Sequence, residues 1–196
     1  MSRLRQLPNV ISSIRILLLF PIALALANHR FVTTLWLFAA AAASDAVDGF
    51  LAKRFGWRTE LGGILDPLAD KLLLATVFVM LALAGTVPVW LTVAVLARDC
   101  IIVAGAISYR ILLGPVAARP SIISKLNTLC QIVFVLLVIG AQQYSWPAAW
   151  TMVPGALVFV TVVVSGLDYV LVYGRMALME SKARHSLARA GGSKPA

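Results

Sequence analysis

Apolar segments long enough to cross a membrane follow one another along almost the whole chain. A membrane-spanning helix needs about 20 predominantly apolar residues. Six segments of about that length are present, at residues 11–28, 32–53, 64–84, 88–112, 122–143 and 149–173. Only 13% of the 196 residues are charged, against about a quarter in a soluble domain. We therefore predict an all-α integral membrane protein with six transmembrane helices, which excludes a soluble enzyme and a soluble nucleic-acid-binding protein.

One membrane domain accounts for most of the length, and we place it at residues 1–175. Residues 176–196 contain several lysines and arginines and predict a basic tail that frays or lies on the membrane. The N-terminus resembles a signal peptide, but Arg15 interrupts its apolar run and five more apolar segments follow, so we expect an uncleaved first span. We expect Arg15 either to extend to the membrane interface or to contact a lipid phosphate.

The basic residues are distributed unevenly between alternate loops. If the N-terminus is cytoplasmic, the opposite side receives only Arg30. The cytoplasmic loops and termini then carry Arg3, Arg5, Lys53, Arg54, Arg58, Arg110, Arg119 and the basic tail. Because lysine and arginine are enriched in cytoplasmic loops, we predict that both termini are cytoplasmic, in a bacterial inner membrane. The net charge of +9 then suits anionic membrane lipids, and we expect no nucleic-acid partner.

Half of the acidic residues fall in one short stretch. The chain has eight aspartates and glutamates, and four of them are Asp45, Asp48, Asp66 and Asp70. The first two are three residues apart and the last two are four apart, so each pair shares one face of a helix. The connection between these spans is short, which predicts antiparallel neighbouring helices. The two carboxylate faces then meet on the cytoplasmic side.

Four ionised carboxylates at membrane depth need a counter-charge, and Lys71 alone is too little. Carboxylate oxygens suit Mg²⁺ or Mn²⁺, and two such ions can stabilise both the attacking and the leaving oxygen of a phosphoryl transfer. Gly49 and Gly62 leave space for a nucleotide or a pyrophosphate beside the helix backbone. The alternative is a structural cluster of aspartates paired with basic loop residues. The regular helical spacing favours the metal site.

The same residues carry a resemblance. The pattern Asp45-x2-Asp48-Gly49-x2-Ala52-Lys53-x8-Gly62-x3-Asp66-x3-Asp70 resembles the signature of the CDP-alcohol phosphatidyltransferases. The one departure is Lys53, where the family usually has arginine. A bidentate contact to the pyrophosphate becomes a point-charge contact there, unless the adjacent Arg54 takes the role.

This resemblance implies a six-helix membrane fold, usually dimeric, with a polar cavity open to the cytoplasm. It implies CDP-diacylglycerol as the phosphatidyl donor and two Mg²⁺ or Mn²⁺ ions. The implied metal ligands are Asp45, Asp48, Asp66 and Asp70, and the implied CDP-binding residues are Asp45, Gly49, Ala52, Lys53, Gly62 and Asp66. Asp70 is also the implied base that takes the proton of the acceptor hydroxyl, so that the oxygen attacks the phosphorus bearing the diacylglycerol and CMP leaves.

The second half of the chain offers a site for the acceptor. The pair Arg98-Asp99 lies within the fourth span, where charged residues are costly without a role. Arginine, lysine and hydroxyl groups near a metal site suit a phosphate-bearing acceptor. The candidate acceptor-binding residues are Arg98, Arg110, Arg119, Ser124, Lys125 and Thr128. For Arg110 and Arg119, the ordinary enrichment of basic residues in cytoplasmic loops explains their presence equally well.

Two positions bear on which acceptor is used. The segments Leu65–Lys71, Ala97–Asp99 and Ile123–Gln131 are similar to the cardiolipin synthases of the CDP-alcohol type, which use phosphatidylglycerol. The related phosphatidylglycerophosphate synthases use glycerol 3-phosphate, and often have glutamate at the position of Asp99 and a second lysine at the position of Asn127. A phosphomonoester carries about one more negative charge than a phosphodiester at neutral pH. The missing lysine therefore favours phosphatidylglycerol, with glycerol 3-phosphate as the alternative.

Two other classes of membrane protein also place acids in helices. An ion-coupled transporter would carry them near the midplane and show broken or repeated segments, whereas these aspartates share one cytoplasmic hairpin. A membrane prenyltransferase has its two aspartate motifs on well-separated helices. The sequence therefore favours a phosphatidyltransferase, with a transporter as the remote alternative.

Overall fold

The structure is a computed structural model that describes the backbone of residues 7–55, 62–113 and 122–191, and the side chains of residues 13–44, 68–105, 107, 122–172 and 174. Within these ranges the chain forms α-helices and no β-strand, which confirms the predicted all-α class. The helices are α1 (Leu7–Ala27), α2 (Phe31–Phe55), α3 (Gly62–Leu83), α4 (Val89–Leu113), α5 (Ile122–Tyr144) and α6 (Ala149–Gly191).

The helix boundaries agree with the predicted spans to within a few residues, except at the end of α6. Turns occur where glycine, proline and polar residues predicted them, and three turn residues have positive φ: His29 (53°), Gly85 (71°) and Ser145 (52°). The connections at 56–61 and 114–121 lie outside the described residues. Helix α6 continues to Gly191, so the expected boundary at residues 175 and 176 does not coincide with a helix end and stays a prediction.

The surface of the described helices is strongly apolar. Two helices are long and apolar enough to cross a membrane, Ile122–Tyr144 and Ala149–Val172, and the shorter segments Ser13–Ala27 and Phe31–Ser44 are apolar as well. Large apolar side chains such as Leu17, Phe20 and Trp36 are more than 70% exposed. Soluble proteins rarely expose so much contiguous apolar surface. An exposed apolar surface of this kind is typical of a membrane protein.

Helix packing places α1 between two of its neighbours. Among the described residues α1 packs against both α2 and α3, α2 also packs against α5, and α6 packs against α4 and α5. The sequence predicted α2 and α3 as direct neighbours. Among the described contacts both helices pack against α1, and the direct contact between α2 and α3 stays a prediction. Helix α1 therefore faces both arms of the aspartate-rich hairpin.

The buried apolar residues among the described side chains form one core cluster. They come from the second halves of α1, α3 and α5 and from the first halves of α2, α4 and α6, with Phe78 and Phe134 at the centre, their ring centroids 6.0 Å apart. Consecutive helices joined by short turns run antiparallel, so these halves share one end. The buried polar residues Arg15, Arg98 and Asn127 lie nearer the other end, toward the aspartate motif. We call the region of the described side chains around Arg15, Arg98 and Asn127 the polar half of the bundle.

Candidate active site

Asp70 lies on α3 and meets a buried arginine from α1. The Arg15 Nη1 donates a hydrogen bond to the Asp70 Oδ1. The Arg15 side chain is only 1% exposed, whereas that of Asp70 is 32% exposed. The guanidinium of Arg15 is thus buried and contacts a carboxylate of its own chain rather than extending to the interface, while the expected contact with a lipid phosphate stays a prediction. Asp70 keeps part of its surface open while its orientation is held from within the bundle.

The other residues of the aspartate signature have a described backbone but no described side chain. Asp45, Asp48, Gly49, Ala52 and Lys53 belong to the last part of α2, and Gly62 and Asp66 to the first turns of α3. The two parts of the motif are therefore helical, as their spacing predicted. Asp70 is one turn deeper in α3 than Asp66. No cluster of three or more metal-ligating side chains occurs among the side chains that the structure describes.

The donor set fits a hard divalent cation by its chemistry. The four predicted ligands are all carboxylates, and Mg²⁺ and Mn²⁺ prefer oxygen ligands. The predicted metal site, like the CDP contacts of α2 and α3, stays a prediction because it depends on side chains outside the described set. Asp70, the described member, stands in the polar half with a partly exposed carboxylate, as a ligand requires.

Lys71 contacts a carboxylate on α4. Its Nζ lies 2.8 Å from the Asp99 Oδ1 on α4, and the Arg98 Nη1 lies 2.6 Å from the same oxygen. Asp99 is therefore held between two cations, and its side chain is 16% exposed. The sequence suggested Lys71 as a partial counter-charge for the aspartates. In the structure Lys71 is bound to Asp99, and Arg15 supplies the cation that contacts Asp70.

Arg98 connects three helices in the polar half. Its Nη2 donates to the Ser124 Oγ on α5 at 2.8 Å and to the Ser165 Oγ on α6. The predicted candidates Arg98 and Ser124 are thus brought together. Ser165 was not predicted from the sequence, where the available signal was weak: a serine and Thr161 four residues apart in an otherwise apolar run. We call Lys71, Asp99, Arg98, Ser124 and Ser165 the Arg98 network.

The remaining acceptor candidates are placed less closely. Lys125 is exposed, and the Thr128 hydroxyl donates to the Ser124 carbonyl within α5 at 3.2 Å. Arg110 has a described backbone in α4 but no described side chain, and Arg119 lies outside the described residues. The structure therefore assembles Arg98 with Ser124 and leaves the other four as predictions.

Asn127 adds a buried polar side chain about one turn further along α5 from Ser124. It is fully buried, and the Thr161 Oγ1 lies 2.9 Å from its Oδ1. A buried amide that bonds across two helices stabilises their packing in a membrane. Gln131 lies one turn further along α5 and is also buried. Position 127, one of the two that bear on the choice of acceptor, therefore holds a neutral, buried amide that joins α5 to α6.

A cavity of about 360 Å³ opens between α1 and α2. Its walls are mostly apolar, with Ile14 and Leu18 on one side and alanines of α2 on the other. Its polar members are Arg15 and Ser44, which directly precedes Asp45 in the chain. Arg15, whose guanidinium contacts Asp70, therefore lines this cavity.

Comparison with known proteins gives a consistent result. A model of the CDP-alcohol phosphatidyltransferase family matches residues 5–181. A Homo sapiens protein named cardiolipin synthase (CMP-forming) is 32% identical over 156 residues, which are 71% of this chain and 52% of the human protein. A probable phosphatidylglycerophosphate synthase of Mycobacterium tuberculosis is 31% identical over 185 residues, 86% of this chain and 82% of that protein. The chain thus spans about half the length of its human relative.

Proposed function

The chain belongs to the CDP-alcohol phosphatidyltransferase family, and from this premise we propose that it transfers the phosphatidyl group of CDP-diacylglycerol to a glycerol-type acceptor. CMP is the second product. The observation that carries the proposal is the combination of the complete aspartate spacing with the position of Asp70, partly exposed at the polar end of the bundle.

The donor binds at the hairpin of α2 and α3. Asp45, Asp48, Asp66 and Asp70 would hold two Mg²⁺ or Mn²⁺ ions, which would neutralise the charge that develops on the pyrophosphate. The remaining CDP contacts come from Gly49, Ala52, Lys53 and Gly62. The apolar cavity beside Ser44 gives the lipid part of the donor an exit toward the bilayer.

Asp70 is the base of the reaction. Its carboxylate takes the proton of the acceptor hydroxyl, and the oxygen forms a new bond to the phosphorus that carries the diacylglycerol. The bond between this phosphorus and the CMP oxygen breaks, and CMP leaves. A general base of this kind contributes a rate factor of about 10² to 10⁴, and Asp70 retains the solvent-open surface that proton transfer needs.

The acceptor binds at the Arg98 network, with phosphatidylglycerol favoured over glycerol 3-phosphate. Asp99 and the two serines already take up hydrogen bonds from Arg98, and position 127 is a buried amide rather than a cation. Two positive charges therefore face one carboxylate, which leaves a small positive excess there. Such a site suits a singly charged phosphodiester better than a doubly charged phosphomonoester. Lys125, Thr128, Arg110 and Arg119 complete the proposed acceptor site.

We also propose the cellular arrangement. Six spans place both termini and the active site in the cytoplasm of a bacterial cell, since the loop charges follow the positive-inside pattern. The polar half of the bundle, with Arg15, Asp70 and Arg98, then forms a cavity on the cytoplasmic side. The working form is a homodimer, as the family resemblance implies.

The test supplies each acceptor separately. Detergent-purified protein is incubated with CDP-diacylglycerol and Mg²⁺ together with phosphatidylglycerol, glycerol 3-phosphate or neither, and lipid products are identified by mass spectrometry. We expect cardiolipin from phosphatidylglycerol at a rate well above any product from glycerol 3-phosphate. A phosphatidylglycerophosphate product alone would replace the favoured acceptor with its alternative. No lipid product from either acceptor would contradict the reaction.

A further inference from the structure

Arg15 is a buried cation that the proposed reaction does not yet use. It lies about 12 Å along α1 from the helix start at Leu7, in a mostly apolar run. An arginine within a membrane helix costs about 2.5–3.5 kcal/mol on insertion scales. Its side chain is 1% exposed, so water does not stabilise the charge. The structure gives this charge an ionic contact with Asp70.

The contact with Arg15 restrains the Asp70 carboxylate from a helix outside the α2–α3 hairpin. Asp70 is on α3 and Arg15 is on α1, 55 residues away in the chain. Helix α1 packs against both α2 and α3, so the guanidinium approaches Asp70 from a rigid neighbouring helix. A charge-assisted hydrogen bond to one carboxylate oxygen limits rotation of the whole carboxylate group. The direction of the second oxygen is then set by α1.

We propose that Arg15 is a positioning residue that orients the Asp70 carboxylate for proton transfer from the acceptor hydroxyl. The inference rests on the proposed function, in which Asp70 is the base. Misplacement of a reacting group by about 1 Å can cost a factor of about 100 in rate. In this proposal Arg15 acts through its contact with Asp70. Its loss therefore lowers the turnover rate much more than it weakens the binding of either substrate.

The first test is a double-mutant cycle in steady-state kinetics. We expect Arg15→Gln to lower kcat by about 10- to 100-fold, with the KM for CDP-diacylglycerol and for the acceptor within about threefold of wild type. Arg15→Lys, which keeps the charge, recovers part of kcat. In an Asp70→Asn background, Arg15→Gln costs less than about twofold, because the group it positions is already disabled. Arg30→Gln, an exposed arginine at the α1–α2 turn, serves as the control and stays near wild type.

Two outcomes would overturn the inference. A raised KM for CDP-diacylglycerol with kcat retained would assign Arg15 to the donor lipid, which can approach through the cavity between α1 and α2. A loss of the same size in the Asp70→Asn background would show that Arg15 acts elsewhere. In both cases the wild-type reaction stands, so these results are distinguishable from a failure of the proposed function.

A second readout does not depend on activity. Thermal unfolding in detergent is measured for Arg15→Gln, Asp70→Asn and the double variant. Each single variant leaves one charge without its partner and lowers Tm by several degrees, while the double variant loses less than the sum. Additive losses would overturn the inference even if no acceptor supported turnover. If Arg15→Gln alone fails to fold, Arg15→Lys and the uncharged double variant still complete the comparison.

Discussion

Arg15 and Arg98 are both buried arginines in apolar helices, yet they meet their carboxylates differently. Arg15 contacts Asp70, whose side chain is 32% exposed, whereas Arg98 shares Asp99, 16% exposed, with Lys71. A carboxylate bound by two cations has little capacity left for a substrate. The Asp70 side chain is twice as exposed as that of Asp99, which leaves more of its surface accessible to a substrate. The comparison supports the proposed roles of Asp70 as the reacting aspartate and of Asp99 as a structural part of the acceptor site.

The largest expected effect is that of Asp70→Asn. The amide cannot accept the proton of the acceptor hydroxyl, so CMP release falls by about 10²- to 10⁴-fold. The rate is followed as CMP released from CDP-diacylglycerol at saturating acceptor. Asp168→Asn is the matched control, since Asp168 lies on α6 outside both arginine contacts and should leave the rate near wild type. A variant that keeps substantial activity at neutral pH would show that Asp70 is not the base.

Asp99→Asn should act mainly on stability and on the acceptor. It removes the carboxylate shared by Lys71 and Arg98. Breaking a buried pair costs about 3–5 kcal/mol, and we expect about 2–3 kcal/mol here because Lys71 keeps nearly a third of its surface exposed. Thermal unfolding should therefore begin about 4–12 °C lower. We also expect a higher KM for the acceptor and an unchanged KM for CDP-diacylglycerol. If kcat instead fell as far as in Asp70→Asn, the proposed difference in role between the two aspartates would be wrong.

Ser165→Ala tests a smaller part of the Arg98 network. It removes one hydrogen-bond acceptor from Arg98 and leaves Ser124 and Asp99 in place. We expect a loss of about 1 kcal/mol, seen as an approximately fivefold higher KM for the acceptor in initial-rate measurements. Ser44→Ala is the matched control on the donor side. Among the contacts described, the Ser44 hydroxyl bonds only to the Ala40 carbonyl of its own helix. An increase in the donor KM from Ser165→Ala would contradict its assignment to the acceptor site.

Thr161→Val should have the smallest effect. The substitution keeps the side-chain shape and removes the hydroxyl that lies 2.9 Å from the Asn127 Oδ1. The free energy of unfolding should fall by about 0.5–1.5 kcal/mol, and neither KM should change. Thermal unfolding and initial rates measured on the same sample check this. A changed KM for the acceptor would show that the acceptor site also includes Asn127 and Thr161, one turn beyond the Arg98 network.

The sequence predicted the helices and the turns well because those features are local. Long apolar runs predict spans, and Gly85 or the His29-Arg30 pair predicts where they end. The spacing of Asp66 and Asp70 predicted a shared helix face for the same reason. The order of the helices along the chain therefore follows from local sequence patterns.

The pairing of charges across helices was not predictable. Arg15 and Asp70 are 55 residues apart, and Lys71 and Asp99 are 28 apart. A helix in lipid is apolar on both its buried and its exposed faces, as Leu17 and Ile22 on α1 illustrate. Hydrophobic periodicity therefore does not reveal how each helix is rotated or which neighbour it touches. The rotation of each helix about its axis determines that Arg15 contacts Asp70 and that Lys71 contacts Asp99.

The stoichiometry and metal dependence of the wild-type reaction test the proposed chemistry without any substitution. CMP and newly formed phospholipid are quantified together from CDP-diacylglycerol and phosphatidylglycerol, first after chelation of divalent ions and then after Mg²⁺ or Mn²⁺ is restored. We predict one CMP for each phosphatidyl group transferred, no turnover after chelation and recovery with the metal. CMP release without a phospholipid product, or transfer that proceeds unchanged after chelation, would contradict the metal-dependent phosphatidyl transfer proposed for this chain.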